Sequence, residues 1–318
     1  MHNGVQCAMY VDGKPVFNLW ASTLTSQPYA YDSIQQVFSS TKVISSLVLA
    51  MLADRGHIKS LDMFVHEIWP EFKSHGKNKI RISDVLRHDS GLREIRHHRF
   101  SLEELGSVHQ GVMGKILQDA VPQNVGTRNY HAWTRGWILN EIVRRVDPQN
   151  RTIGEFCRDE ICEPLGVDFY IGLSDEEMRR AVPLTLQNPL WAMLQSCLPQ
   201  ALGSRVPWNV FWFLRHGVEA MINNLIFPES TLPFLPPYPL FDTFNHKSFR
   251  HVEVPSANGY TNASSMARIM SCLANGGEID GIRLISPQGL ERAISGAILK
   301  HDISNKTNIK NTRAGWTM

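Results

Sequence analysis

A serine and a lysine three residues apart are the residues whose types and spacing most directly suggest chemistry. Ser39 and Lys42 lie within residues 38–42 (FSSTK), at the start of a long apolar run. A serine hydroxyl is a weak nucleophile until a base takes its proton, and positions i and i+3 of a helix lie on one face, one turn apart. The spacing therefore predicts that Ser39 attacks and that Lys42 activates it.

The Ser-x-x-Lys spacing is weak evidence by itself, because the chain contains it twice. The second copy, residues 74–77 (SHGK), includes a glycine and precedes no apolar helix, so it predicts no fixed geometry for its serine and lysine. One alternative stays open at the first copy. Ser39 could cap the helix, and Lys42 could be a solvated residue of the first turn.

A tyrosine is the third candidate group. Tyr130 follows a Gly126-Thr127 turn and precedes a predicted helix over residues 133–146, which places its hydroxyl on a loop able to face another element. A nearby lysine ammonium would favour the phenolate, so either group could share the serine's proton. On this segment alone, a half-buried tyrosine with a satisfied hydroxyl is an equally good interpretation.

The elements that must position these residues follow from apolar periodicity and turn residues. Residues 5–11 and 15–21 predict a β-hairpin across Asp12-Gly13, and Pro15 favours the sheet edge for the second strand. The run from Ser39 to Asp54 predicts a central, buried helix with Gly56 as its C-cap. Further helices are predicted over residues 82–87, 101–118, 133–146 and 264–275 and from Ser286-Pro287 onward, and residues 301–313 are predicted to be a loop.

Composition limits the classes of protein to consider. With 318 residues, of which 43% are hydrophobic, the chain can bury one large core or two modest ones. The 32 basic and 30 acidic residues leave a net charge of +2 without basic clusters, so nucleic acid is not an expected partner. Zinc-protease and phosphate-loop motifs are also missing, so we expect neither a metal nor a cofactor.

Cysteine usage and the N-terminus favour the cytoplasm for the chain as given. The five cysteines include no CxxC pair, and their odd number predicts reduced, buried thiols rather than a disulfide framework. No signal peptide is visible at the N-terminus, although preceding sequence could be missing.

An apolar, proline-rich excursion covers residues 191–244. Arg215, His216 and Glu219 interrupt it, so a transmembrane segment is not predicted. It could line or cover an apolar pocket, or it could be a plain packing insertion.

Five segments, in order along the chain, together resemble the serine β-lactamase-like superfamily, which includes penicillin-binding proteins. The similarity is closest to class C β-lactamases, family VIII carboxylesterases and eukaryotic β-lactamase-domain proteins. The segments are residues 38–42 (FSSTK), 69–72 (WPEF), 86–92 (LRHDSGL), 130–137 (YHAWTRGW) and 255–277, from PSANG to NGG.

The resemblance implies an α+β fold, an α/β sandwich plus an all-helical subdomain, in one domain over residues 1–318. The α/β part would comprise residues 1–38 and about 260–318, and the mainly helical part residues 39–259. The family's roles imply that Ser39 is the acyl-enzyme nucleophile, Lys42 its base and Tyr130 the proton relay to the leaving group. The Ser39 N–H would be one oxyanion donor, and His88 would belong to the scaffold.

The chain departs from the family pattern at two places. Ala132 replaces the usual asparagine of Tyr-x-Asn, which favours a small-molecule ester or amide substrate other than a β-lactam. The Lys/His-x-Gly motif is absent, and the chain ends at a segment resembling the strand before it. We therefore expect a truncated chain that lacks the last strands and C-terminal helix. The uncovered edge of the first strand would allow a homo-oligomer, and the alternative function is a catalytically impaired scaffold or assembly protein.

Overall fold

The computed structural model describes residues 4–22, 29–95, 98, 100–107, 109, 111–184 and 240–317. The apolar excursion predicted at 191–244 lies outside the described residues as far as residue 239, and so does Cys197.

In the described chain three strands come first, a run of helices follows, and strands and helices are then interspersed. The helices are α1 (Thr41–Asp54), α2 (Val65–Ile68), α3 (Ile82–Leu86), α4 (Leu102–Gly106), α5 (Val112–Asp119), α6 (Thr134–Val146), α7 (Ile153–Cys157), α8 (Glu163–Leu165), α9 (Asp175–Met178), α10 (Leu240–Asn245), α11 (Lys247–His251), α12 (Ala263–Ala274) and α13 (Pro287–Ile294). The strands are β1 (Gly4–Val11), β2 (Lys14–Ser22), β3 (Gln35–Gln36), β4 (Phe169–Ile171), β5 (Gly259–Thr261), β6 (Glu278–Ile279), β7 (Ile282–Arg283), β8 (Ile298–Asp302) and β9 (Thr307–Asn311). The mixed α+β class predicted from the sequence is confirmed.

The predicted hairpin is present as the antiparallel pair β1–β2. Asp12 and Gly13 both have positive φ, as a two-residue hairpin turn requires. The register shifts at Met9/Tyr10, so that Pro15 pairs with Tyr10 beside the turn. The β1 strand packs on α12, whereas β2 is exposed along its whole length.

The central helix α1 is buried on nearly all sides, as its apolar composition predicts. It contacts α6, α7 and α13, and its Leu47, Val48 and Leu49 side chains are fully buried. Burying each such side chain is worth about 1.5–3 kcal/mol. Arg55 caps the helix, and Gly56 follows it at positive φ. A rigidly packed helix therefore carries Lys42.

The secondary structure of two segments differs from the prediction. The helix predicted over 101–118 is two helices, α4 and α5, because Gly111 has a left-handed conformation at the start of α5. The predicted loop at 301–313 is wrong, since β8 and β9 form an antiparallel hairpin there. Its strands are mostly exposed, so they lack the apolar alternation that would have identified them.

The second Ser-x-x-Lys copy has a fixed geometry, contrary to the prediction. Lys77 is fully buried and donates to the carbonyls of Gln118, at 2.8 Å, and Ala120, at 2.6 Å, at the end of α5. The Ser74 hydroxyl also donates to the Gln118 carbonyl, at 2.6 Å. Lys77 therefore caps the C-terminal end of α5 by hydrogen bonding to its last carbonyls, which is a structural role.

Three of the described cysteines, Cys157, Cys162 and Cys272, are buried free thiols, as predicted, whereas Cys7 is exposed on β1. Among the described helices, none combines the length and apolar content needed to cross a membrane.

Candidate active site

The serine of the first copy sits on a tight turn just before the central helix. Residues Phe38–Ser40 form a 3₁₀ turn that leads directly into α1, and Ser39 is exposed to solvent. Phe38 has a φ of 45°, a left-handed conformation that costs about 1–3 kcal/mol for a residue other than glycine. Because Ser39 precedes α1, its N–H takes no part in the regular hydrogen bonding of that helix.

Lys42 lies one turn beyond Ser39 and is 8% exposed. Its Nζ is 2.9 Å from the Ala132 carbonyl, 2.8 Å from the Ser256 carbonyl and 3.2 Å from Ser39 Oγ. A neutral amine has two N–H groups and one lone pair. The two carbonyls can accept both N–H groups, which leaves the lone pair facing the serine hydroxyl.

Burial favours this neutral form of Lys42. Desolvation lowers its pKa well below the ordinary value, and the nearby Arg135 guanidinium lowers the pKa further. The Tyr130 ring, with its centroid 4.8 Å from Nζ, would favour the charged form by about 1 kcal/mol. That term is smaller than the cost of a buried ammonium that has no carboxylate within 4.0 Å among the described residues. Lys42 is therefore suited to accept a proton.

Tyr130 is the second side chain that is hydrogen bonded to the Ser39 hydroxyl. Its Oη donates to Ser39 Oγ at 2.6 Å. Burial raises the pKa of Tyr130, although the hydrogen bond to Ser39 and the charge of Arg135 act against that rise. Burial therefore disfavours the phenolate that a nearby lysine ammonium would favour. Tyr130 at rest is a phenol, which can give a proton.

The loop that carries Tyr130 is anchored by a buried ion pair. Arg128 forms a two-pronged contact with the Asp89 carboxylate, at 3.0 and 3.1 Å, and both side chains are almost completely buried. Arg128 also donates to the carbonyls of Ile298 and Ile309, one on each strand of the β8–β9 hairpin. The arginine thus joins the loop to that hairpin.

The tip of the same hairpin touches the tyrosine's own backbone. The Tyr130 N–H donates to Ser304 Oγ at 3.1 Å, and Lys300 reaches back to Asp89 at 2.9 Å. The β8–β9 hairpin therefore contributes directly to the position of Tyr130.

Two histidines lie behind Tyr130 and are held neutral. His131 donates from Nδ1 to the Asn129 carbonyl at 2.6 Å, so its Nε2 accepts from Ser90 Oγ at 2.9 Å. The His131 N–H donates to His88 Nδ1, and the His88 ring lies 4.7 Å from the Tyr130 ring. Burial lowers the pKa of His88 well below its ordinary value and that of His131 to about 4. Both side chains support the Tyr130 loop, in line with the scaffold position predicted for His88.

Replacing Asp89 with asparagine is expected to lower the free energy of unfolding by about 3–5 kcal/mol, since it leaves the Arg128 guanidinium buried without its counter-charge. Urea denaturation followed by circular dichroism measures this loss. The exposed carboxylate of Asp280, paired with Arg268, provides the control: Asp280→Asn should change stability by less than about 1 kcal/mol. Equal small effects of the two substitutions would contradict the anchoring role.

The three predicted residues Ser39, Lys42 and Tyr130 thus converge on one hydroxyl. Two other groups were not predicted, the carbonyls of Ala132 and Ser256, because backbone carbonyls carry no signal in the residue type. Arg135 was also missed, although a charge between Trp133 and Trp137 on an apolar stripe could have indicated it.

Comparison with known proteins places this arrangement in a family. Residues 1–315 match the family model described as Beta-lactamase. The chain belongs to the Beta-lactamase family. The match includes every residue of the site described above.

Individual relatives agree with this membership. The chain is 31% identical over 290 residues to "Esterase/beta-lactamase LipL" of Mycobacterium tuberculosis, an alignment covering 89% of this chain and 61% of that protein. A penicillin-binding protein homologue from Caulobacter crescentus superposes with a TM-score of 0.75 at 29% identity, covering 99% of this chain and 76% of that one. A family VIII carboxylesterase superposes with a TM-score of 0.76 at 25% identity, with the same coverages of 99% and 76%. The predicted β-lactamase/transpeptidase-like fold is thereby confirmed.

Proposed function

We propose that this member of the Beta-lactamase family is a serine hydrolase that works through an acyl-enzyme on Ser39. The supporting observation is that Ser39 Oγ lies 3.2 Å from the nitrogen of a buried lysine and 2.6 Å from a tyrosine hydroxyl. A nucleophile with a base and a proton donor in hydrogen-bond reach is the arrangement that acyl transfer requires.

In the acylation step, the Lys42 lone pair takes the Ser39 proton while Oγ bonds to the substrate carbonyl carbon. The negative charge moves to the carbonyl oxygen, where the Ser39 N–H is placed to donate. When the tetrahedral intermediate collapses, the bond to the leaving group breaks and Tyr130 gives that group its proton. The proton on Lys42 then returns to the tyrosine oxygen.

In the deacylation step, the same groups act on water. Lys42 accepts a proton from the water that attacks the acyl carbon, Tyr130 gives its proton to the leaving Ser39 Oγ, and Lys42 then returns a proton to the tyrosine oxygen. The products are the free acid and the restored serine.

Esters are the favoured substrates. The third position of the tyrosine motif is Ala132, whose methyl group has no amide to bind a lactam side chain. Two relatives are named after ester hydrolysis, an "Esterase/beta-lactamase" and a family VIII carboxylesterase. Beside the serine, the ring of Phe38 lies 5.3 Å from that of Phe244, which stacks on Trp133 at 6.1 Å. Phe38, which is 37% exposed and next to the serine, favours an apolar acyl group.

Hydrolysis of p-nitrophenyl butyrate is therefore expected to exceed that of a chromogenic cephalosporin. Rapid quenching with acid, followed by mass spectrometry of the peptides, should find one butyryl group on Ser39. Cephalosporin turnover above ester turnover would contradict the preference for esters, and an acyl group elsewhere would contradict the assignment of Ser39.

The alternative is a scaffold or assembly protein, and exposed apolar side chains on the hairpin favour it. Leu19 is 62% exposed, Val16 58% and Trp20 47%, all on β2. This function predicts self-association without ester turnover. Light scattering that finds a monodisperse monomer, together with measurable turnover, would reject it.

A further inference from the structure

A second basic side chain, Arg135, is buried near Lys42 without a counter-charge. Its guanidinium belongs to α6, is about 1% exposed, and donates to Ser46 Oγ at 2.6 Å and to the Leu86 carbonyl at 3.2 Å. Its Nη1 is buried with no hydrogen-bond partner. No carboxylate lies within 4.0 Å of it among the residues that the structure describes.

Such an arrangement is expensive, because a buried charge usually needs a paired partner. Deprotonation of Arg135 would remove this free-energy cost, but it does not occur at neutral pH. Burial lowers its pKa only to about 10, so the guanidinium stays charged at neutral pH. A fixed, unpaired positive charge inside the core calls for a functional explanation.

The position of the charge suggests that explanation. Its partner Ser46 lies four residues after Lys42 on α1, one helical turn away on the same face. A positive charge there acts on the lysine through a poorly screened interior, where charge–charge interactions are strong.

The other titratable groups around Lys42 do not cancel this charge. His88 and His131 are held neutral by burial, and Tyr130 is a phenol. The Asp89 carboxylate is occupied by Arg128 and Lys300, and the Asp302 carboxylate, in β8, accepts from the Asn305 N–H at 3.0 Å. The segment that supplies the Ser256 carbonyl adds no titratable side chain at residues 254–258.

We propose that Arg135 is a positioning residue of the active site, whose unpaired guanidinium repels a proton from Lys42 and so keeps the lysine amine free to take the proton of Ser39. This inference rests on the proposed function, in which Lys42 is the base. The charge would also favour the small amount of phenolate that Tyr130 forms during turnover.

Two substitutions abolish the unpaired state of this charge, one by deleting the charge and the other by supplying a counter-charge. Arg135→Met deletes it and keeps an apolar chain of similar reach. Ser46→Asp pairs it with a carboxylate at the contact already present, so it keeps the arginine in the core. Ser46→Asn is the matched control for the second change, because asparagine has nearly the shape of aspartate and no charge.

The readout is the rate at which a fluorophosphonate labels Ser39 as a function of pH. Labelling requires a neutral base, so the rate rises with pH through the pKa of Lys42. Loss or pairing of the guanidinium raises that pKa, so the rising limb should move to higher pH by about one unit in Arg135→Met and Ser46→Asp. In Ser46→Asn it should stay where it is in wild type. If the rising limb of the pH profile keeps its wild-type position in both Arg135→Met and Ser46→Asp, the inference is overturned.

A direct measurement separates this inference from the proposed function. The ¹³Cε chemical shift of Lys42, assigned from the spectrum of Lys42→Ala, reports its protonation whether or not the protein turns over substrate. The titration midpoint should be higher in Arg135→Met than in wild type, and equal midpoints would reject the role of Arg135. Wild type that fails to label while the midpoints differ would reject the hydrolase assignment alone.

Discussion

Ser39→Ala is expected to abolish labelling by a fluorophosphonate and to lower ester hydrolysis on the order of 10⁶-fold, the loss typical when a serine nucleophile is deleted. The change removes only the oxygen to which both Lys42 and Tyr130 are hydrogen bonded. Fluorescence of the labelled band measures the first effect, and release of nitrophenol measures the second. Unfolding temperatures of the variant and wild type should agree closely, because Ser39 is exposed.

The neighbouring serine provides a matched control. Ser40 is also exposed, and its side chain makes no capping hydrogen bond at the start of α1. Ser40→Ala should therefore label at the wild-type rate. If Ser39→Ala labels as fast as Ser40→Ala, the nucleophile is another residue.

Lys42→Met is expected to reduce the rate of Ser39 acylation by about 10²–10⁴-fold, the contribution that a positioned general base typically makes. Methionine fills a similar volume, so the core around α1 should remain packed. Pre-steady-state release of nitrophenol measures acylation separately from deacylation. The residual rate should lose the rising limb with pH, because the group whose lowered pKa sets that limb is gone.

The second Ser-x-x-Lys copy supplies the control for this variant. Lys77 is a buried lysine too, and burial lowers its pKa to about 8, yet it binds the end of α5 and not the site. Lys77→Met should leave acylation unchanged. It should lower the free energy of unfolding by about 1–3 kcal/mol, since it strips a donor from buried carbonyls. An equal rate loss in both lysine variants would mean that Lys42 acts through stability alone.

The sequence was sufficient to predict the local parts of the structure. Ser39 and Lys42 are one helical turn apart, so their proximity follows from the geometry of a single element. The β1–β2 hairpin follows equally from Asp12-Gly13 between two apolar runs. Tyr130 was a candidate from its position on a loop, but only its order among the family's segments linked it to Ser39, because no local rule brings it to a serine 91 residues earlier.

The parts that the sequence did not predict depend on contacts between distant residues. The β8–β9 hairpin is held by Arg128 across 170 and 181 residues of chain, which no local pattern can indicate. The protonation state of Tyr130 depends on such contacts too. A lysine ammonium would favour its phenolate, whereas burial lowers the pKa of Lys42 and raises that of Tyr130.

The contacts of Lys42 Nζ also determine when the site becomes reactive. Its two carbonyl partners, from Ala132 and Ser256, lie 90 and 214 residues further along the chain. The nitrogen is therefore shielded from solvent only after these three segments have come together. In an incompletely folded chain the lysine keeps its ordinary pKa, stays protonated and cannot activate the serine. If Ser39 is the nucleophile, as proposed, it is latent during synthesis and unfolding, and its labelling by a fluorophosphonate would measure the amount of native protein rather than of total protein.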